Sequence, residues 1–176
     1  MKILLYGGSA CGKSALAEAL LLKSPGEPRI YAATMEPWGP EAQQRIRRHR
    51  AMRAEKGFQT VEAQRGLESL ALPQGCAVLL ECLGNLAANE LFVPGATGES
   101  ALQAMLAGVR SLARRAETLV MVGNDVFADG VPYQGGTAAY LRLLAEAQAR
   151  LAAEADAVAE VVCGIPILHK GSLALP

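Results

Sequence analysis

A short apolar run, Ile3 to Tyr6, passes directly into Gly7, Gly8, Ser9, Ala10, Cys11, Gly12, Lys13 and Ser14, and then into a helical repeat. These eight residues fit G-x-x-x-x-G-K-[S/T], and strand, loop and helix follow in the order that the motif requires. The glycines let the loop curl so that backbone N–H groups surround a phosphate at the positive end of the helix. Lys13 then reaches the β and γ oxygens, and the Ser14 hydroxyl suits Mg²⁺. A glycine turn that merely packs strand on helix accounts for the bend but not for Lys13 and Ser14 together. Gly7 to Ser14 are therefore the expected nucleotide-binding residues.

The remaining pattern extends that expectation. Ile3–Tyr6, Arg29–Ala33, Ala77–Leu80, Leu119–Val122 and Val158–Val162 read as strands, and Thr60 with Val61 suits a further short one. Continuous short apolar runs of this kind fit strands buried on both faces. Ser14–Lys23, Glu41–Glu55, Glu99–Ala116 and Thr137–Ala155 read as helices, the third with Leu102, Met105, Leu106, Val109 and Leu112 at helical spacing. Alternation of the two predicts a mostly parallel sheet with helices on both faces. No internal repeat or composition shift marks a boundary, so residues 1–176 are expected to form a single nucleotide-binding domain.

Composition narrows the function classes. With 51% hydrophobic and 19% charged residues the chain is expected to be globular, and no apolar run approaches the ~20 residues of a membrane-spanning helix. Cys11, Cys76, Cys82 and Cys163 form no C-x-x-C pair and have no histidine cluster beside them, which predicts neither zinc nor a disulfide framework and suits a cytoplasmic location. Formal charge is zero, yet residues 45–56 gather Arg45, Arg47, Arg48, Arg50, Arg53 and Lys56 against Glu55 alone. A local cationic strip in an otherwise acidic chain points to a small anionic ligand. With 5% aromatic residues and the strip confined to one helix, nucleic acid is not an expected partner.

Two further features carry chemistry. A nucleotide site commonly uses a carboxylate at the end of a neighbouring strand for Mg²⁺ or its water. Glu81, after Val78, Leu79 and Leu80, is the best placed; Asp125, beyond Leu119–Val122, competes with it, and a merely solvated strand-end acid is the bland alternative. On a helix Arg45, His49 and Arg53 stack on one side. Flanking guanidinium groups would keep the imidazole neutral and nucleophilic while attracting a polyphosphate; a solvated arginine face with an incidental histidine fits the same spacing.

Taken together, the ordered motifs resemble the bifunctional adenosylcobinamide kinase and adenosylcobinamide-phosphate guanylyltransferase family of cobalamin biosynthesis over nearly the whole chain. The likeness rests on Gly7–Ser14; on Tyr31 to Thr34; on Arg45 to His49 with Arg53, Thr60 and Glu62; on Leu79 to Leu83 with Asn89; on Asn124, Asp125, Val126 with Gly130, Val131, Pro132; and on Ala155, Asp156 with Gly164, Ile165, Pro166. The resemblance implies a P-loop NTPase-type (RecA-like) fold, GTP, ATP and Mg²⁺ as cofactors, and a homo-oligomer, a trimer in the family. It implies that adenosylcobinamide and its phosphate are the acceptors, and that His49 carries GMP as a covalent intermediate. It adds Thr34, Arg45, Arg53, Glu62 and Glu81 to the nucleotide-binding residues, with Lys13 and Glu81 beside His49 as the catalytic set and Ser14 and Glu81 as metal ligands. The chain departs from the family pattern at Arg48, where a second histidine is common, at Leu141 and Arg142, at Gln148 in place of an asparagine, and at Glu81 in place of aspartate.

Overall fold

Cys76–Glu81 reads Cys-Ala-Val-Leu-Leu-Glu and buries its first five residues, as expected of a strand with helices on both faces. In the structure, a computed structural model describing residues 1–37, 39, 43–44, 46–47, 51 and 55–175, this segment lies near the middle of a seven-stranded sheet. The strands are β1 (Lys2–Tyr6), β2 (Arg29–Ala33), β3 (Phe58–Glu62), β4 (Cys76–Glu81), β5 (Ala116–Val122), β6 (Ala157–Val162) and β7 (Ile165–Lys170). Their order is β3-β2-β4-β5-β1-β6-β7. All neighbours pair in parallel except β7, which runs antiparallel to β6. The α-helices with described bounds are α1 (Lys13–Leu21), α2 (Leu83–Leu91), α3 (Gly98–Arg115) and α4 (Gly135–Glu154).

Strand periodicity separates two cores. Ile3, Leu5, Ala77, Leu79, Val120 and Val122 pack on the face that carries Leu20 and Leu21 of α1. Leu4, Val78, Leu80, Leu119 and Met121 point the other way, against Leu86 of α2, Leu102, Met105 and Leu106 of α3 and Leu144 and Leu151 of α4. Helix α3 begins with a capping box between Thr97 and Ser100 and ends on Arg114 and Arg115, charges that suit its carbonyl end.

The expected strands, and the helices expected over Ser14–Lys23, Glu99–Ala116 and Thr137–Ala155, are present with shifted ends. Ala116 belongs to β5 instead of the preceding helix: the Arg115 carbonyl accepts from Gly75 N at 2.8 Å, and Ala116 is already in register with Cys76. Two elements go beyond the sequence reading. Helix α2 has nine residues and is capped by the weak acceptor Cys82 Sγ, so neither length nor cap announces it. Strand β7 contains Pro166, and all six of its residues are exposed, so it has no alternating pattern; it is nucleated by a turn in which Cys163 (φ 50) and Gly164 (φ 82) are both left-handed. Of the helix expected over Glu41–Glu55, Gln43, Gln44, Ile46, Arg47 and Ala51 are helical; His49, Arg45, Arg48 and Arg53 lie outside the described residues.

Candidate functional site

The parallel sheet brings the ends of β1, β2, β4 and β5 to one edge, with Ala33, Glu81 and Val122 in register and Val122 beside Leu5. Ligands of open parallel sheets collect at such an edge. Here Gly7 (φ 147) and Gly12 (φ 99) bend the chain out of β1 and into α1. A Cβ on Gly7 would lie 2.5 Å from the Val161 carbonyl oxygen, so the loop hugs β6 in a way only glycine allows. The β6–β7 turn braces the loop from outside, with Gly164 N donating to the Cys11 carbonyl at 2.8 Å. No carboxylate occupies the first turn of α1, which leaves its positive end available to an anion.

Lys13 folds back over this loop and is only 7% exposed. Its Nζ donates to the carbonyls of Gly7, at 2.9 Å, and Gly8, and lies 3.4 Å from Cys11 Sγ. Those are weak holds beside a phosphate oxygen, since the partners are neutral carbonyls and a thiol.

The strand period decides which acid joins Lys13. Glu81 follows Leu79 by two residues and so projects to the α1 side, where its Oε1 accepts from Ser14 Oγ at 2.7 Å. Oε2 accepts from Tyr31 OH, also at 2.7 Å, a diagonal neighbour on β2. Asp125 is exposed, accepts from Phe127 N at 3.3 Å, and is absent from the cavity wall. Geometry therefore favours Glu81 over Asp125.

A cavity of about 490 Å³ opens over this edge, walled by Ser9, Ala10, Lys13 and Ser14 on one side and by Thr34, Thr60, Glu62, Glu81 and Asn124 around the rest. Gly7, Gly8, Cys11 and Gly12 shape the loop without lining the cavity. Thr34 is fully buried; its hydroxyl accepts from Cys82 N at 2.6 Å and donates to the Glu81 carbonyl at 2.7 Å, so it fixes the end of β4. Glu62 ends β3 at the rim and accepts from Gln64 Nε2 at 2.6 Å. Asn89, on α2, donates to the carbonyls of Thr34 at 2.8 Å and Gln64 at 2.9 Å and ties the two rims together. Burial pushes the Cys82 thiol above its ordinary pKa, which leaves it a capping group. Arg45, His49 and Arg53 lie outside the described residues, so the structure brings together the phosphate-loop and carboxylate part of the expected set.

Ser14 Oγ and Glu81 Oε1 are hard oxygen donors beside a phosphate loop, and the described residues contain no cluster of three His, Cys, Asp or Glu that would cage a metal. One or two protein oxygens completed by phosphate and water is the habit of Mg²⁺, so these residues fit that ion. Sequence reasoning assigns Tyr31 no site role; its signal is that it pairs with Leu79, two residues before Glu81, which only the β2–β4 register reveals.

Comparison with known proteins bears on the whole chain. The family model for cobinamide kinase / cobinamide phosphate guanyltransferase matches residues 3–168. The Bifunctional adenosylcobalamin biosynthesis protein CobU of Salmonella typhimurium is 31% identical over 97% of this chain and 100% of its own length. Its Escherichia coli counterpart is 32% identical with the same coverage. Among solved structures, flagellar accessory protein FlaH from Methanocaldococcus jannaschii aligns with TM-score 0.53 at 9% identity, covering 99% of this chain and 81% of that one. An ATPase from a bacterial type III secretion system aligns with TM-score 0.51 at 10% identity, over 90% of this chain and 50% of that one. At such identities the likeness concerns the fold, a P-loop NTPase sheet.

Proposed function

The chain belongs to the cobinamide kinase / cobinamide phosphate guanyltransferase family, and on that premise we propose that it performs two transfers in cobalamin biosynthesis. In the first, the aminopropanol hydroxyl of adenosylcobinamide attacks the γ-phosphorus of ATP or GTP; the nucleoside diphosphate leaves and the hydroxyl proton is released. In the second, an imidazole nitrogen of His49 attacks the α-phosphorus of GTP and pyrophosphate leaves. A phosphate oxygen of adenosylcobinamide phosphate then attacks the same phosphorus and displaces the imidazole. Covalent transfer through His49 divides one difficult displacement into two.

The observation that carries this reading is the Ser14–Glu81–Tyr31 hydrogen-bonded set beside Lys13 at the phosphate loop. Lys13 exchanges its carbonyl partners for triphosphate oxygens and neutralises charge as it shifts toward the leaving group. Ser14 and Glu81 would hold Mg²⁺, which when bound supplies charge neutralisation on the phosphates. Tyr31 and Ser14 orient the Glu81 carboxylate. Arg45 and Arg53 hold the triphosphate near His49, and Thr34 and Glu62 belong to the nucleotide-binding wall. The family resemblance supports a cytoplasmic homo-oligomer, a trimer.

The test is incubation with GTP, Mg²⁺ and adenosylcobinamide, with products identified by mass. GTP labelled at the α-phosphate should leave acid-labile, alkali-stable label on the protein, and GTP labelled at the γ-phosphate should not. His49→Ala should abolish labelling and guanylyl transfer while phosphorylation persists in part. Robust α-label on His49→Ala would overturn the histidine assignment, and corrinoid product without any label in the wild type would leave a plain kinase.

A further inference from the structure

We propose that Gln148, on α4 and outside the cavity wall, is a positioning residue for group transfer: its side-chain amide holds the end of β5 so that Asn124 turns its N–H groups toward the nucleotide.

Backbone accounting at the sheet edge leads to this. Beyond Val122, alternate residues continue to pair with the β1 side: Gly123 N donates to the Leu5 carbonyl at 2.7 Å, and Asp125 N to the Gly7 carbonyl at 2.9 Å. Asn124, between them, directs its main-chain groups the other way. There β4 has ended, its last residue Glu81 standing opposite Val122. Without a strand partner these groups need one from elsewhere. Gln148 provides it: Oε1 accepts from Asn124 N at 2.9 Å, and Nε2 donates to the Asn124 carbonyl at 3.1 Å. One side-chain amide thus replaces the missing strand.

Gly123 is shaped for this clasp. A Cβ there would lie 2.1 Å from Gln148 Oε1, so the amide occupies the space a side chain would fill. The side chain of Asn124 is fixed as well, because Oδ1 accepts from Gly84 N, in the first turn of α2, at 3.2 Å. That bond assigns the amide orientation and leaves Nδ2 with no acceptor among the described residues, on a residue that lines the cavity. The clasp also reaches Lys13: the Gly7 carbonyl that accepts from Asp125 N accepts from Lys13 Nζ at 2.9 Å. Gln148 therefore sets two donors at once, the neutral Nδ2 of Asn124 and the Lys13 ammonium, about a cavity suited to triphosphate oxygens. Donors held in place before charge develops stabilise the transition state without reorganising.

The inference rests on the proposed kinase reaction, so the wild-type product is measured first. In the full chain with GTP, Mg²⁺ and adenosylcobinamide, Gln148→Ala should lower kcat about tenfold or more while KM for GTP changes less than about threefold, as expected for an interaction realised in the transition state. Asn124→Ala should lower kcat at least as much. Gly123→Ala should lower kcat alone but add little in the Gln148→Ala background, because there is then no amide to displace. A purely structural role would give lower thermal stability with kcat unchanged, or losses that simply add, and either result overturns the proposal. If the wild type yields no phosphorylated corrinoid, the functional reading fails on its own. Gln148 is then judged by amide hydrogen exchange with GTP and Mg²⁺: protection of residues 123–125 and 7–8 in the wild type should disappear in Gln148→Ala, and equal protection in both proteins overturns the proposal.

Discussion

Glu81→Gln separates what the carboxylate does for the fold from what it does for chemistry. The amide is nearly isosteric with the carboxylate, and both neighbours are hydroxyls that can rotate: Tyr31 OH can still donate to the amide oxygen, and Ser14 Oγ can accept from the new NH₂. Two bonds of 2.7 Å to a charged acceptor therefore become two neutral ones. Charge-assisted bonds are worth about 1 kcal/mol more than neutral ones, which bounds the stability loss near 2 kcal/mol. Relief of carboxylate desolvation reduces it further. Turnover should respond on a different scale, because loss of one preorganised electrostatic group costs about 10²–10³ in kcat. Urea denaturation measures the first quantity, and corrinoid phosphorylation at rising Mg²⁺ concentration measures the second. Asp125→Asn is the control, since its side chain is exposed and only its backbone N–H touches the phosphate loop; its turnover should remain within about twofold of wild type. Turnover of Glu81→Gln within about threefold of wild type at saturating Mg²⁺, or a large defect in Asp125→Asn, would refute the assignment of the strand-end acid.

Lys13→Ala should abolish nucleotide turnover yet remain folded by circular dichroism, because the Gly7 carbonyl keeps its bond from Asp125 N and the exposed Gly8 carbonyl can turn to water. Thiol labelling of the native chain should proceed first at exposed Cys163 and slowly at Cys76 and Cys82, whose thiols burial raises; GTP should slow labelling of Cys11, as peptide mass mapping would reveal. Arg110 forms three hydrogen bonds to Glu154, two from Nε at 3.1 and 3.2 Å and one from Nη2, and holds its carboxyl below the ordinary value. The resulting stabilisation is present above the unfolded pKa of glutamate and is lost as pH falls through the lower folded value, so Glu154→Gln should flatten that acid limb of the denaturation midpoint and leave neutral pH slopes unchanged. Leu79→Ala, in a fully buried central strand, should cost about 3–5 kcal/mol by the same denaturation assay, with m unchanged.

What the sequence determined by itself is local. A phosphate loop is built from backbone N–H groups of consecutive residues, so Gly7 to Ser14 declare it without reference to anything distant. Runs such as Val78–Leu80 and Leu119–Val122 declare buried strands because a strand covered on both faces has no room for polar alternation. The acidic residues at the ends of those runs were legible as candidates for the same reason, with Glu81 the better placed, but Asp125 competed with it until the sheet was assembled. Only the assembled sheet, which places Glu81 on the α1 side, diagonal to Tyr31, and turns Asp125 out to solvent, distinguishes them. Strand order was likewise undecidable, since β5 enters between β1 and β4 from residues more than a hundred positions after the loop. Edge strand β7 carries no burial pattern because none of its residues is buried. Gln148 is the extreme case: an ordinary helix-surface residue in sequence, it acquires a role because β4 stops short of β5 and leaves Asn124 without a partner. Hydrogen-bond vacancies of that kind belong to the arrangement of elements, and no window of neighbouring residues contains them.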